Sequence, residues 1–249
     1  MKLTTNLALQ ENVQRVLDSF IQDATKIFEK DLLSATLFGS AAQGVLRSTS
    51  DVNLIIVLGQ FKKDRADLIA DSTRLAHSHI GLKVMFILDT EIQRAAETFS
   101  VKFLDIKTRH TVLYGKDYFT ALKITAPDLI TRLRQVLTNL ILRLRERYVL
   151  FSNREELLSH IIADSAAPLR SAAFSLLKLK KNPIASPKDA LLKIVEGSSN
   201  SSVWMQTLAD MSDARENNIQ ASKIKNTYFS LIDIAEYLFS EVERIDESI

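Results

Sequence analysis

Apolar positions along the first third of the chain change period in a readable order. From Glu11 to Lys30 they fall at Val13, Val16, Leu17, Phe20, Ile21, Ala24, Ile27 and Phe28, the spacing of a helix with one buried face. Ser34 to Phe38 reads as a short strand. Val52 to Leu58 is an apolar run interrupted only by Asn53, as expected of a strand covered on both faces. Lys62 to Ile80 returns to helical spacing and stops at Gly81, a residue suited to ending a helix. Leu82 to Leu88 is a third strand, and Asp89 is placed to cap a helix through Ala96. Lys102 to Leu113 contains mixed β-favouring residues, and YGKD at Tyr114–Asp117 reads as a turn.

After about Ala121 the strand signals stop. Pro127 to Val149 carries Leu129, Leu133, Val136, Leu137, Leu140, Ile141, Leu144 and Tyr148 along one helical stripe. A second helix starts at Ser152-Asn153 and runs toward Lys180. Breaks follow at NPIASP (Asn182–Pro187) and GSSNSS (Gly197–Ser202), then helices over Val203–Asn217 and Ala221–Ile245. The pattern predicts an α/β domain over residues 1–120 and an all-helical bundle over 121–249, with no internal repeat.

Composition narrows the function classes. A net charge of +2 leaves no strong nucleic-acid footprint. The absence of cysteine removes disulfides, thiol catalysis and Cys-ligated zinc. The first residues lack the apolar core of a signal peptide, and no apolar run approaches the roughly 20 residues of a membrane span. A soluble cytoplasmic protein is the expectation.

The candidate chemistry sits in LFGSAAQGVLRSTSDVNLIIVL, Leu37–Leu58. Gly39, without a Cβ, lets the backbone adopt an unusual φ and approach a phosphate. Ser40 adds a hydroxyl and an N–H at the start of an expected short helix, where orphan N–H groups attract anions. Asp51 and Asn53 are two apart on a strand, so they face the same way. This strand–turn–helix–strand block resembles the signature of the polymerase-β-like nucleotidyltransferases, G-S-x-x-x-G followed by S-D-x-D-L. Gly39, Ser40, Gly44, Ser50, Asp51 and Leu54 match it. Phe103–Asp117 is similar to the segment that closes the catalytic domain in a bacterial subgroup, and Leu140–Leu150 to the helical bundle that follows there. The resemblance implies a mixed sheet with flanking helices, and ATP or another NTP held with Mg²⁺ by paired acids. In such a site the metal neutralises the triphosphate and activates an attacking hydroxyl. Gly39, Ser40, Arg47 and Ser50 become candidate nucleotide-binding residues, and Asp51 the candidate metal ligand.

The chain departs from the signature at the other acids. Asn53 stands where the second aspartate belongs; its amide ligates Mg²⁺ weakly and brings no charge. The third acid is expected early in Leu82–Leu88, where alternation puts Lys83, Met85 and Ile87 on one face, so the position is Lys83. An ammonium there is expected to lie near Asp51, filling the space and charge of a metal; snorkelling to solvent is the competing role.

Other signals are weaker. Asp89 is expected to cap a helix rather than replace an acid, and Glu91 and Asp105 cannot be placed from sequence. His77 and His79 do not face each other on a helix. Arg154 and His160 form an R-x5-H pattern resembling the ribonuclease motif of HEPN domains. Arg132, Arg134, Arg143, Arg145 and Arg147 read as a solvated face partly paired with Glu146. Trp204 and Met205 are candidates for a homodimer surface or for core. Three functions remain: a nucleotide-binding, catalytically impaired transferase fold; a working Mg-dependent transferase moving NMP to a hydroxyl of a small molecule or protein; and a helical interaction or RNase-like module using the first domain as scaffold.

Overall fold

The computed structural model describes residues 2–44, 51–182, 184, 186–216 and 219–246, with side chains from residue 11 onward. Two compact units divide the chain, Met1–Ile124 and Thr125–Ile249.

The first unit is built on a four-stranded mixed sheet. Helix α1 (Lys2–Phe28) leads into β1 (Leu32–Phe38); β2 (Val52–Leu58), α2 (Lys63–Ile80), β3 (Leu82–Leu88), α3 (Ile92–Thr98), α4 (Ser100–Thr108) and β4 (His110–Gly115) follow. The order across the sheet is β3-β2-β1-β4, with β1 antiparallel to β2 and β4, and β2 parallel to β3. The parallel pair needs a crossover, and α2 supplies it. Gly81 ends α2 in the left-handed conformation, with its N–H bonded to His77 O.

Each face of the sheet has its own core. On one, Leu17, Phe20, Ala24 and Phe28 of α1 and Ile69, Ala76 and Ile80 of α2 pack against Leu54, Ile56 and Leu82. On the other, Ile92 and Ala96 of α3 and Phe103 and Ile106 of α4 cover Phe38, Ile55, Val57 and Ile87. Burial on both sides explains why β2 is apolar at every position except Asn53.

Three local expectations need correcting. Of the mixed β-favouring segment Lys102–Leu113, only residues 110–113 are strand, and residues 102–108 are helical. Val101, Phe103, Leu104 and Ile106 are buried in α4, and Asp105 pairs with Arg109 one turn on, so packing outweighs propensity. Asp89 caps no α-helix: a 3-10 turn, Asp89–Glu91, intervenes, and Glu91 Oε2 accepts from the Leu88 N–H at 3.1 Å. Tyr114 and Gly115 belong to β4, and the turn lies beyond them.

That turn is held by Asp117. Its carboxylate accepts from the N–H groups of Phe119 (2.8 Å) and Thr120 (3.1 Å) and from the Thr120 hydroxyl (2.6 Å), with His110 Nε2 at 3.2 Å. Burial alone pushes this carboxyl up. The Thr120 hydroxyl, the two N–H groups and His110 outweigh burial and hold it well below the usual range. An acid with a depressed folded pKa adds stability that is complete above its unfolded value, about 4, and lost as pH falls through the folded one. Asp117→Ala is therefore expected to cost about 1–2 kcal/mol at pH 7. Urea titrations of both proteins should show the gap narrowing below about pH 4.

The second unit is helical: α5 (Ala126–Phe151), α6 (Glu155–Leu179), α7 (Pro187–Glu196), α8 (Ser201–Arg215) and α9 (Ala221–Asp246). Thr125 caps α5, accepting from the Asp128 N–H, with a proline in the first turn. The second helix begins at Glu155 rather than at Ser152-Asn153. Helix α7 falls between the two expected breaks. Ser186 caps it by accepting from the Asp189 N–H at 3.2 Å. Two of the α5 arginines pair with α9: Arg134 with Glu243 and Asp246, and Arg145 with Glu236. Trp204 is buried, with its ring 5.2 Å from that of Tyr237, while Met205 is partly exposed. Among the described residues no helix is long and apolar enough to cross a membrane.

Candidate functional site

The ends of β1, β2 and β3 bring Phe38, Asp51, Asn53 and Lys83 together. Phe38 is registered with Asn53 across β1 and β2, and Asn53 with Lys83 across β2 and β3. Side chains at partnered positions share a face. Asp51, two residues before Asn53, points the same way, and Lys83 Nζ lies 2.6 Å from Asp51 Oδ2. Asp51 also sits beside the end of α2: a Cβ on Gly81 would stand 3.8 Å from Asp51 Oδ1. The amide of Asn53 turns toward Asp51 O at 3.5 Å.

The ion pair is open to water, with side-chain exposures of 57% for Lys83 and 51% for Asp51. At such exposure a pair contributes about 0–1 kcal/mol. The pair therefore matters for its position: it sets which charge occupies this corner of the sheet, and it is weak enough for a ligand to rearrange.

The turn after β1 is anchored from α4. Gly39 has φ +80°, a conformation open to glycine, and a Cβ there would face Asn53 Nδ2 at 3.9 Å. Its N–H is bonded to Arg109 O at 3.0 Å. The guanidinium of Arg109 reaches Gln43 Oε1 at 3.2 Å and grips Asp105 through two bonds of 2.6 and 2.7 Å. Both members of that pair are largely buried. Burial pushes the Asp105 carboxyl up, and the attraction and hydrogen bonds of Arg109 only partly offset it. The turn thus rests on a bidentate pair that position in the sequence could not reveal.

One expectation at this turn changes. The element after Ser40 is a single 3-10 turn, Ala41–Gln43, closed by Gly44 in the left-handed conformation. So short a turn builds no helix dipole, and what it offers an anion is the Ser40 hydroxyl and local N–H groups. Arg47 and Ser50 lie outside the described residues.

Mg²⁺ fits this donor set poorly. A hard dication takes carboxylate and other oxygen ligands. Here the carboxylate of Asp51 has the amide of Asn53 and the ammonium of Lys83 as neighbours, and Lys83 is already in contact with it. Among the described residues no group of three His, Cys, Asp or Glu is placed to hold a metal ion. Asp89 and Glu91 are engaged with backbone N–H groups just past the far end of β3.

The remaining candidates are dispersed. His77 Nδ1 meets Leu82 O at 3.0 Å. In the second unit His160 is exposed in a shallow cavity lined by Glu155, Glu156, Ser159, Ile219, Ala221 and Ile224. Arg154 is not part of that lining.

No family model matches the chain. A protein of Methanocaldococcus jannaschii named "Putative protein adenylyltransferase" is 26% identical over 113 residues, spanning 44% of this chain and 77% of that protein. The structure of the spectinomycin adenyltransferase AAD(9) of Enterococcus faecalis, with ATP and spectinomycin, aligns with a TM-score of 0.62 at 13% identity, over 92% of this chain and 99% of that one. Taken with the β3-β2-β1-β4 mixed sheet and the Gly39 turn, these similarities give the chain a polymerase-β-like nucleotidyltransferase fold with a helical C-terminal unit.

Proposed function

We propose that this protein is a nucleotidyltransferase-fold nucleotide binder whose catalytic acids have been replaced, so that it holds a nucleotide through its phosphates without transferring it. The observation that carries this reading is the contact of Lys83 Nζ with Asp51 Oδ2, 2.6 Å, at the strand position registered with Asn53. Two-metal transfer requires acids that hold the ions along the line of attack. In this protein the second acid is an amide and the third an ammonium. Gly39 and Ser40 retain the open turn against which phosphates would lie, with Arg47 and Ser50 as further contacts. ATP is the first nucleotide to try, because AAD(9), which shares the fold, is described with ATP.

Two assays on the intact chain test this. ATP in EDTA should raise the melting temperature, since a ligand bound only by the folded state stabilises it in proportion to the logarithm of its concentration over Kd. With Mg²⁺, ATP and candidate hydroxyl acceptors, no pyrophosphate should be released. Pyrophosphate release abolished by Asp51→Asn would establish the working transferase instead.

A further inference from the structure

Lys102 projects from α4 onto the same face of the sheet. Its Nζ lies 3.8 Å from Met85 Sδ on β3 and 5.8 Å from the ring centroid of Phe38 on β1. Strand β2 runs between those two strands, with Asn53 registered to Phe38 and Ile55 to Met85. The ammonium therefore stands over β2 at the level of Asn53 and Ile55, on the side that Asp51 and Lys83 also face. Sulfur and ring contacts orient it without neutralising it. Among the described residues it makes no ion pair, and partial desolvation against this floor lowers its pKa.

The charges at this corner then have a simple reading. Three carboxylates holding two divalent cations leave one positive charge in excess. One carboxylate, Asp51, beside two ammoniums, Lys83 and Lys102, leaves the same excess. We infer that Lys83 and Lys102 together replace the metal pair, and that the ligand is a nucleoside di- or triphosphate free of divalent cation, held with Lys102 against its phosphate oxygens. This rests on the nucleotide-binding reading above. A lysine is suited to the task as a compact point charge that needs no fixed fork geometry, and its bonds to phosphate are charge-assisted.

Calorimetric titration with ATP in EDTA, on the full chain and on Lys102→Met and Lys102→Arg, tests the inference. Lys102→Met is expected to weaken binding about tenfold or more, and Lys102→Arg to keep most of it. Because Lys102 makes no ion pair among the described residues, the melting temperature of Lys102→Met without ligand should not fall. Lys102→Met binding ATP as tightly as wild type would overturn the role of Lys102 and leave nucleotide binding standing. Wild type failing to bind ATP in EDTA would remove the nucleotide-binding reading itself.

Discussion

The double substitution Asn53→Asp with Lys83→Asp is expected to create a divalent-cation site. Positions 53 and 83 are Cα partners on parallel strands, and position 51 lies two residues away on the same face. The change turns one carboxylate, one amide and one ammonium into three carboxylates converging from two strands, the oxygen-rich set a hard cation prefers. Mn²⁺ binding with a dissociation constant on the order of 1 mM or tighter is the expected result, read as loss of the free-ion signal by electron paramagnetic resonance. Neither single substitution should achieve it. Asn53→Asp alone leaves Lys83 Nζ against the carboxylates, and Lys83→Asp alone leaves an amide at the centre. Without metal the double variant should melt below wild type, because like charges then crowd the corner, and Mn²⁺ should restore it. A double variant that folds and ignores Mn²⁺ would show that these positions do not form one site.

Gly115→Ala is expected to cost the first unit about 3–5 kcal/mol, a loss reserved for backbone conflicts and disrupted cores. Gly115 ends β4 with φ +74°, and a Cβ there would come within 2.1 Å of Leu33 O. That oxygen accepts the Lys116 N–H at 3.2 Å, and Gly115 is registered with Ser34, so β1 and β4 cannot separate without losing the edge of the sheet. Gly59→Ala is the matched control. A Cβ there would meet only Asp31 Oδ1 and Leu33 Cδ1, at 3.8 and 3.9 Å, which is ordinary contact. Its cost should stay within about 0.5 kcal/mol. Urea denaturation of both variants checks the contrast, and equal midpoints would contradict the close approach.

How much of this was legible in the sequence depends on where the signal resides. The limits of β2 and β3 can be read directly, because both are apolar runs bounded by Asp51, Gly59, Gly81 and Asp89. Lys83 is legible for a related reason: alternation along a seven-residue strand settles its face once the strand is placed. Helix α4 is harder, since Val101, Phe103 and Ile106 favour strands on their own and become helical through packing on the sheet. Helix α7 carries a readable start, Ser186-Pro187 with Asp189 in the first turn, yet its ten residues are masked by the polar breaks on either side. Lys102 and the Asp105–Arg109 brace lie beyond sequence reading altogether. Lys102 stands over β2 only because α4 folds across that face, and Arg109 reaches Gln43 across 66 residues of chain.

The proposed replacement of metal ions by Lys83 and Lys102 is tested most directly by the dependence of ATP binding on Mg²⁺. Wild-type protein should be titrated calorimetrically with ATP in EDTA and again with Mg²⁺ in excess over nucleotide. Binding in EDTA that weakens when Mg²⁺ masks the phosphate charge is the predicted result, since a dication would then have to enter beside Lys83 and Lys102. ATP binding that appears only with Mg²⁺ would contradict it.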